Sequence, residues 1–296
     1  MKAVGVVGLG NMGAGLARNL MSAGFDVRGW DILGDKVEAH KAAGGIGCGS
    51  PAEVGDGAEA VFIMVMNGDQ VKEVIFGDQG LATTLAKGSV ILISATIHAH
   101  EAVEIAKDLD GSGYHLIDTP VSGGRPGADG GTLTLMAAGS DAAFKAAWPA
   151  MEAVSGTIHK VGTDIGQGQT VKACLQSLIG AIFTATYEAS ALAAKAGVDA
   201  QAFTQVVSTS AAGCGIATGS LENIIAGQFK ETGSHIDTMY KDLTISIALG
   251  QRMGVPLFTA STAMQLFQAG KTKHPDGDNQ VVAKLVEEIV GAGLRK

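Results

Sequence analysis

Three glycines near the start of the chain are spaced to hold a dinucleotide phosphate. Gly8, Gly10 and Gly13 spell G-x-G-x-x-G within AVGVVGLGNMG, directly after an apolar run and ahead of a helix-compatible stretch. Gly8 permits a sharp turn out of the strand. Gly10 removes a side chain where a pyrophosphate must approach the backbone, and Gly13 lets the next helix pack closely. Asn11 and Met12 complete the turn, at a helix N-terminus whose backbone N–H groups favour phosphate. Asp31 follows Gly8 by 23 residues, at the predicted end of a strand over residues 26–30. There it accepts hydrogen bonds from both adenosine ribose hydroxyls. Its charge repels a 2'-phosphate, so NAD is expected over NADP; Arg28 or a nearby loop accommodating that phosphate is the alternative.

A second chemical signal lies in DIGQGQTVKACLQ, residues 164–176. Lys172 and Gln176 are four apart, which puts them on one face of a helix. Partial burial favours neutral lysine, which can take the proton of an alcohol during its oxidation and return it in the reverse direction. The charged form can instead orient a carboxylate or polarise a carbonyl. Gln176 offers an amide donor to a substrate and a carbonyl acceptor to Lys172 or an alcohol. A surface lysine beside a solvated glutamine is the plain alternative; the glycine turn upstream and the apolar surroundings favour chemistry.

A third set is DTPVSGGRPGADGGTLTLMAAG, residues 118–139. Ser122, Gly123 and Gly124 follow a strand and can hold a small carboxylate with a hydroxyl and open backbone N–H groups. A pure turn is the alternative, and Arg125 either adds positive potential or pairs with an acid. Thr96 lies past another strand and is placed near the nicotinamide ribose or the substrate, with helix capping as its competing role. Val65 and Met66 end an earlier strand and border the cofactor. Farther on, Lys241 reaches cofactor or substrate, and Asp242 can orient Lys172 or Lys241. His98, His100 and Glu101 lack the spacing of a zinc motif, and no compact cysteine set exists, so no metal is expected.

These residues need a sheet behind them. Short apolar strands over residues 60–66, 89–93, 116–118 and 133–137 alternate with helical segments over 36–43 and 98–108. That order predicts an α/β Rossmann-type doubly wound parallel sheet, with ligands beyond the strand C-termini. Composition changes near residues 162–168. Beyond, helices are predicted over 171–196, 200–209, 239–252, 256–270 and 279–292, so the expected domains are residues 1–163 and an all-α domain over 164–296.

The 296 residues suffice for two sizeable cores. A net charge of -8 with scattered lysines and arginines disfavours nucleic acid. No apolar run reads as a membrane span, and the first residues enter a strand instead of a signal peptide. Cys48, Cys174 and Cys214, odd in number and far apart, read as reduced thiols, so a cytoplasmic protein is expected.

Taken together, GLGNMG (residues 8–13), DTPVSGG (118–124), GQTVKACLQ (168–176) and KDL (241–243) resemble the β-hydroxyacid dehydrogenase family over nearly the whole chain. The resemblance implies a Rossmann domain, a helical domain and an active cleft between them. It also implies Lys172 as the catalytic lysine, residues 122–124 on the acid, Thr96 and Lys241 near the dinucleotide, and assembly as a homodimer or homotetramer. Many members have asparagine where this chain has Gln176. That longer amide, with GVPLFTASTAMQLFQAG at residues 254–270, looks most like the branch that oxidises L-threonate to 2-oxotetronate. The alternatives are oxidation of 3-hydroxyisobutyrate, reduction of tartronate semialdehyde (2-hydroxy-3-oxopropionate), imine reduction, or a nonenzymatic NAD-binding regulator.

Overall fold

The computed structural model describes residues 1–294. It forms two compact units, Met1–Lys172 and Ala173–Lys296. The first begins with β1 (Ala3–Val7), α1 (Asn11–Ser22), β2 (Asp26–Trp30), α2 (Gly34–Ala42), β3 (Ile46–Gly47) and α3 (Pro51–Gly55). It continues through β4 (Ala60–Ile63), α4 (Gly68–Phe76), β5 (Val90–Ile93), α5 (Ala99–Asp108), β6 (His115–Asp118), β7 (Val121–Ser122) and α6 (Gly124–Asp129). Then come β8 (Leu133–Gly139), α7 (Asp141–Ala153), β9 (Ser155–Gly162) and the start of α8 (Gln167–Lys195).

The strand order is β3-β2-β1-β4-β5-β6-β8-β7, with β9 paired to β8. From β3 to β6 every pairing is parallel, as the alternation of strands and helices predicts. The sheet then departs from pure parallel order: β8 runs antiparallel to both β6 and β7. Both faces are covered. Val4, Val6, Phe62 and Leu92 belong to one apolar cluster, whereas Val7, Val61, Ile63 and Ile91 belong to another, following the two-residue alternation of the strands. That double burial explains why β4 and β5 read as continuous apolar runs.

The second unit contains the remainder of α8 with α9 (Ala200–Thr209), α10 (Gly215–Ile225), α11 (Ile236–Met253), α12 (Phe258–Lys273) and α13 (Val281–Val290). Phe183, Tyr187, Leu221, Leu243 and Phe267 share its core. At Gly180 an added Cβ would lie 2.7 Å from Leu243 Cδ2, so glycine in the middle of α8 serves close packing against α11. One observation departs from the sequence expectation. By length and composition α8 is apolar enough to cross a membrane, with a mean hydropathy of 1.2 over its best window. Its buried Phe183, Tyr187 and Ala193 nonetheless belong to the helical core, and the same helix buries Lys172 and Gln176.

Candidate functional site

The glycine turn has the geometry its spacing predicts. Gly8 has φ +92, and a Cβ there would overlap the Met64 carbonyl oxygen; at Gly13 it would overlap the carbonyl of Gly8. Gly10 is exposed and an added Cβ would meet nothing within 4 Å, so open space lies in front of the turn. Gly10 is also the N-cap of α1 and provides no side-chain acceptor for the first N–H groups, those of Asn11, Met12 and Gly13. A phosphate satisfies such donors and the positive end of the helix dipole together. The residues present therefore fit a dinucleotide. A cavity of about 190 Å³ flanks the turn, lined by Leu9, Gly10, Asn11, Arg18, Lys36 and Arg125 among others. It is smaller than the roughly 300–1,000 Å³ of most ligand sites and takes only part of such a molecule.

Asp31 follows β2, where its Oδ2 accepts from Leu9 N at 2.7 Å and its Oδ1 from Leu33 N at 2.9 Å. The acid is thus fastened to the glycine turn. Beside it Ile32 is 84% and Leu33 55% exposed, and Met66 past β4 is 55% exposed. Sequence reasoning named Val65 and Met66 but passed over Ile32 and Leu33; apolar residues directly after the acid were the available signal. Because β1, β2, β4 and β5 run parallel, Gly8, Asp31, Val65 and Thr96 all follow strand C-terminal ends, where the fold places ligands.

The last strand ends hold a buried polar set. Asp118 closes β6, opposite Ile93. It is fully buried, and its Oδ2 accepts from Gly166 N at 2.9 Å and Gln169 N at 3.0 Å, while its Oδ1 has no hydrogen-bond partner among the described residues. Burial pushes this carboxyl up to about 6, against the pull of the N–H groups of Gln169, Gly166 and Gly168. At Gly168 a Cβ would lie 2.5 Å from Met136 O and 2.6 Å from Asp118 O, so the first turn of α8 rests directly on the strands. The Gln169 side chain accepts from Ile97 N at 3.0 Å and donates to Ala95 O at 2.9 Å. Lys172 follows on the next turn and is buried. On the other side of the antiparallel pair, Ser122 ends β7, and Gly123 and Gly124 take φ values of +132 and +58, which favour glycine. Arg125 pairs with Asp129 at 3.5 Å, and Arg18 pairs with the other oxygen of the same carboxylate. His98 N donates to Glu101 Oε2 at 2.8 Å, so Glu101 caps α5.

In the helical unit the structure gathers Gln176, Lys241 and Asp242. Asp242 is 3% exposed and accepts from Gln176 Nε2 at 2.5 Å through Oδ2. Its Oδ1 lies 3.2 Å from Lys241 Nζ. A carboxylate only accepts, so the glutamine must present its NH₂ to Asp242. Neighbours in sequence on a helix do not ordinarily share a face, yet the long lysine stem brings Lys241 back to the adjacent acid. Ser246 Oγ, one turn beyond Asp242, donates to Ala173 O at 2.7 Å and joins α11 to α8.

Residues 3–162 match the NAD-binding domain of 6-phosphogluconate dehydrogenase, and residues 166–286 match the NAD-binding region of NADP-dependent 3-hydroxyisobutyrate dehydrogenase. The chain is 35% identical to L-threonate dehydrogenase of Escherichia coli O6:H1 (strain CFT073), over 99% of this chain and 97% of that one. It is 31% identical to the NAD-dependent L-serine dehydrogenase of Pseudomonas aeruginosa PAO1, covering 98% of this chain and 100% of that one. Its fold matches a crystal structure of 3-hydroxyisobutyrate dehydrogenase from Salmonella typhimurium with a TM-score of 0.88 at 33% identity, over 96% and 100% of the two chains.

Proposed function

The chain belongs to the 3-hydroxyisobutyrate dehydrogenase family of nicotinamide-dependent hydroxyacid dehydrogenases, and we propose that it oxidises L-threonate at C2 to 2-oxotetronate with NAD. The observation that carries the choice of substrate is Gln176, paired through Nε2 with buried Asp242, in a chain 35% identical to an L-threonate dehydrogenase. With its NH₂ committed, Gln176 turns its carbonyl oxygen to a substrate hydroxyl. A polyhydroxylated acid offers that donor; a methyl-bearing acid leaves the amide short of a partner.

When bound, NAD supplies the acceptor for the electron pair of the carbinol C–H bond. Lys172, buried on the first turns of α8, takes the hydroxyl proton. Ser122, Gly123 and Gly124 hold the carboxylate. Asp242 orients Gln176 and pairs with Lys241, which is the helical unit's cofactor-binding residue in this reading. Asn11, Met12 and the three glycines of the turn hold the pyrophosphate, and Asp31 accepts from the ribose. Ile32, Leu33, Val65 and Met66 give the adenosine an apolar border, and Thr96 contacts the nicotinamide ribose. Exposed Leu192, Phe258 and Ile289 on the helical unit support a homodimer or homotetramer, and the free thiols of Cys48, Cys174 and Cys214 support a cytoplasmic setting.

The test is NADH formation with L-threonate, D-threonate, L-erythronate, D-glycerate and 3-hydroxyisobutyrate. L-Threonate is expected to give the highest kcat/KM. Preference for 3-hydroxyisobutyrate or D-glycerate would retain the family chemistry and overturn the substrate.

A further inference from the structure

We propose that Gln169 is a positioning residue, a clamp that sets Lys172 against the backbone around Thr96; the inference rests on the reading of Lys172 as proton acceptor. Gln169 is 1% exposed, among the most buried polar side chains of the sheet unit. Both ends of its amide are used. Oε1 accepts from Ile97 N at 3.0 Å and Nε2 donates to Ala95 O at 2.9 Å. An N–H only donates and a carbonyl only accepts, so the orientation of this amide has one solution. The two bonds bracket Thr96, in the segment that leaves β5 and leads into α5. Ala95 N and Ser94 N in turn donate to Ile63 O, so the clamped segment is tied to the neighbouring strand β4.

The other end of the clamp is equally fixed. Gln169 N donates to Asp118 Oδ2, and Gly168 leaves no space for a side chain between α8 and the carbonyls of Asp118 and Met136. The backbone of Gln169 is therefore tied to the C-terminal end of β6, while its side chain holds the segment just past the C-terminal end of β5. Lys172 is three residues further along the same helix, hence one turn from this junction. A helix turn held at two points gives the lysine stem a defined base. Releasing the amide frees the segment around Thr96 to move relative to that base. Displacements of about 1 Å in a reacting assembly cost on the order of 100-fold in rate.

The glutamine amide meets both backbone groups at this reach, one as acceptor and one as donor. Glutamate repels the Ala95 carbonyl through its second oxygen, methionine matches the length and makes neither bond, and asparagine is one methylene short. A solvated helix residue has no such requirement.

The experiment has a readout that needs neither cofactor nor turnover. In the wild-type protein, hydrogen exchange followed by NMR is expected to show the Ile97 amide exchanging as slowly as those of β5, although it lies outside the strand. Fast exchange at Ile97 would overturn the clamp. Gln169→Met, checked for a native near-ultraviolet spectrum, is expected to speed exchange at Ile97 at least about 10-fold. Its kcat should fall about 10- to 100-fold, with the KM for the hydroxy acid changed by less than about threefold. A folded Gln169→Met with wild-type kcat, beside an inactive Lys172→Ala, would sink the positioning role and leave Lys172 as proton acceptor. Full turnover by Lys172→Ala would overturn the proton-acceptor reading and this inference with it.

Discussion

Asp118→Asn isolates a buried charge whose effect can be worked out in advance. The carboxyl is fully buried, accepts from two backbone N–H groups through one oxygen, and has no partner on the other among the described residues. Burial outweighs those bonds and raises it from an ordinary 3.8 to about 6. The folded protein therefore holds this proton more tightly than the unfolded chain. The associated stability is fully present below 3.8 and is lost as pH rises through 6. The difference between the two values corresponds to roughly 3 kcal/mol. Between about pH 4 and pH 7 the wild type should lose about 2 kcal/mol from this group alone. Asparagine keeps one oxygen for Gly166 N and Gln169 N and does not titrate. Its NH₂ occupies the place of the unpartnered oxygen, and the cost of that group is independent of pH.

The assay is urea unfolding of both proteins from about pH 4 to pH 7, followed as the difference in stability at each pH. Glu59, Glu104, Asp141 and Glu288 are held below their ordinary range by their hydrogen-bond and ion-pair partners and act in the opposite sense, but they are common to both proteins and cancel. Wild-type stability should fall relative to the variant as pH rises. A difference that is flat across this window would refute the reasoning, because Asp118 would then titrate alike in the folded and unfolded chains.

Lys172→Ala should lower kcat by about 100- to 10,000-fold, the range for loss of an acid–base group, with NAD affinity retained by calorimetry; a matching loss of NAD affinity would make the lysine a binding group. Asp31→Ala should raise the kcat/KM for NADP relative to NAD, and an unchanged ratio would remove the ribose role. Gln176→Leu leaves buried Asp242 without its amide donor; an unpaired buried acceptor costs about 1–3 kcal/mol, so a lower melting temperature should accompany a higher KM for the hydroxy acid. Wild-type KM in that variant would argue against substrate contact by Gln176.

Much of this arrangement is legible before any coordinates, because it depends on short-range rules. The glycine turn, the acid at the end of β2 and the four-residue spacing of Lys172 and Gln176 each follow from local geometry. So do the β4 and β5 runs, whose burial on both faces leaves an unbroken apolar string. The predicted start of α8 falls four residues late. Gly166 and Gly168 read as loop, whereas Gly168 is required by contact with strands distant in sequence. Helix α10, with two glycines in GIATGSLENII, also lacks a strong local signal. The roles of Asp118 and Gln169 were out of reach for the same reason: their partners lie 48 to 74 residues away.

Helix α8 has a consequence for how this chain can change over time. Its 29 residues form one uninterrupted rod about 43 Å long. Each residue advances it about 1.5 Å and turns it about 100°. The first turn cannot rotate to absorb an error, since Gly168 and Gln169 are fastened to the strands. One residue inserted between Lys172 and Gln176 would swing the amide more than a quarter turn away from the lysine's face. Substitutions along this rod are graded, but gain or loss of a residue is all-or-none. A substitution here keeps the register of lysine and amide, and an insertion between them does not.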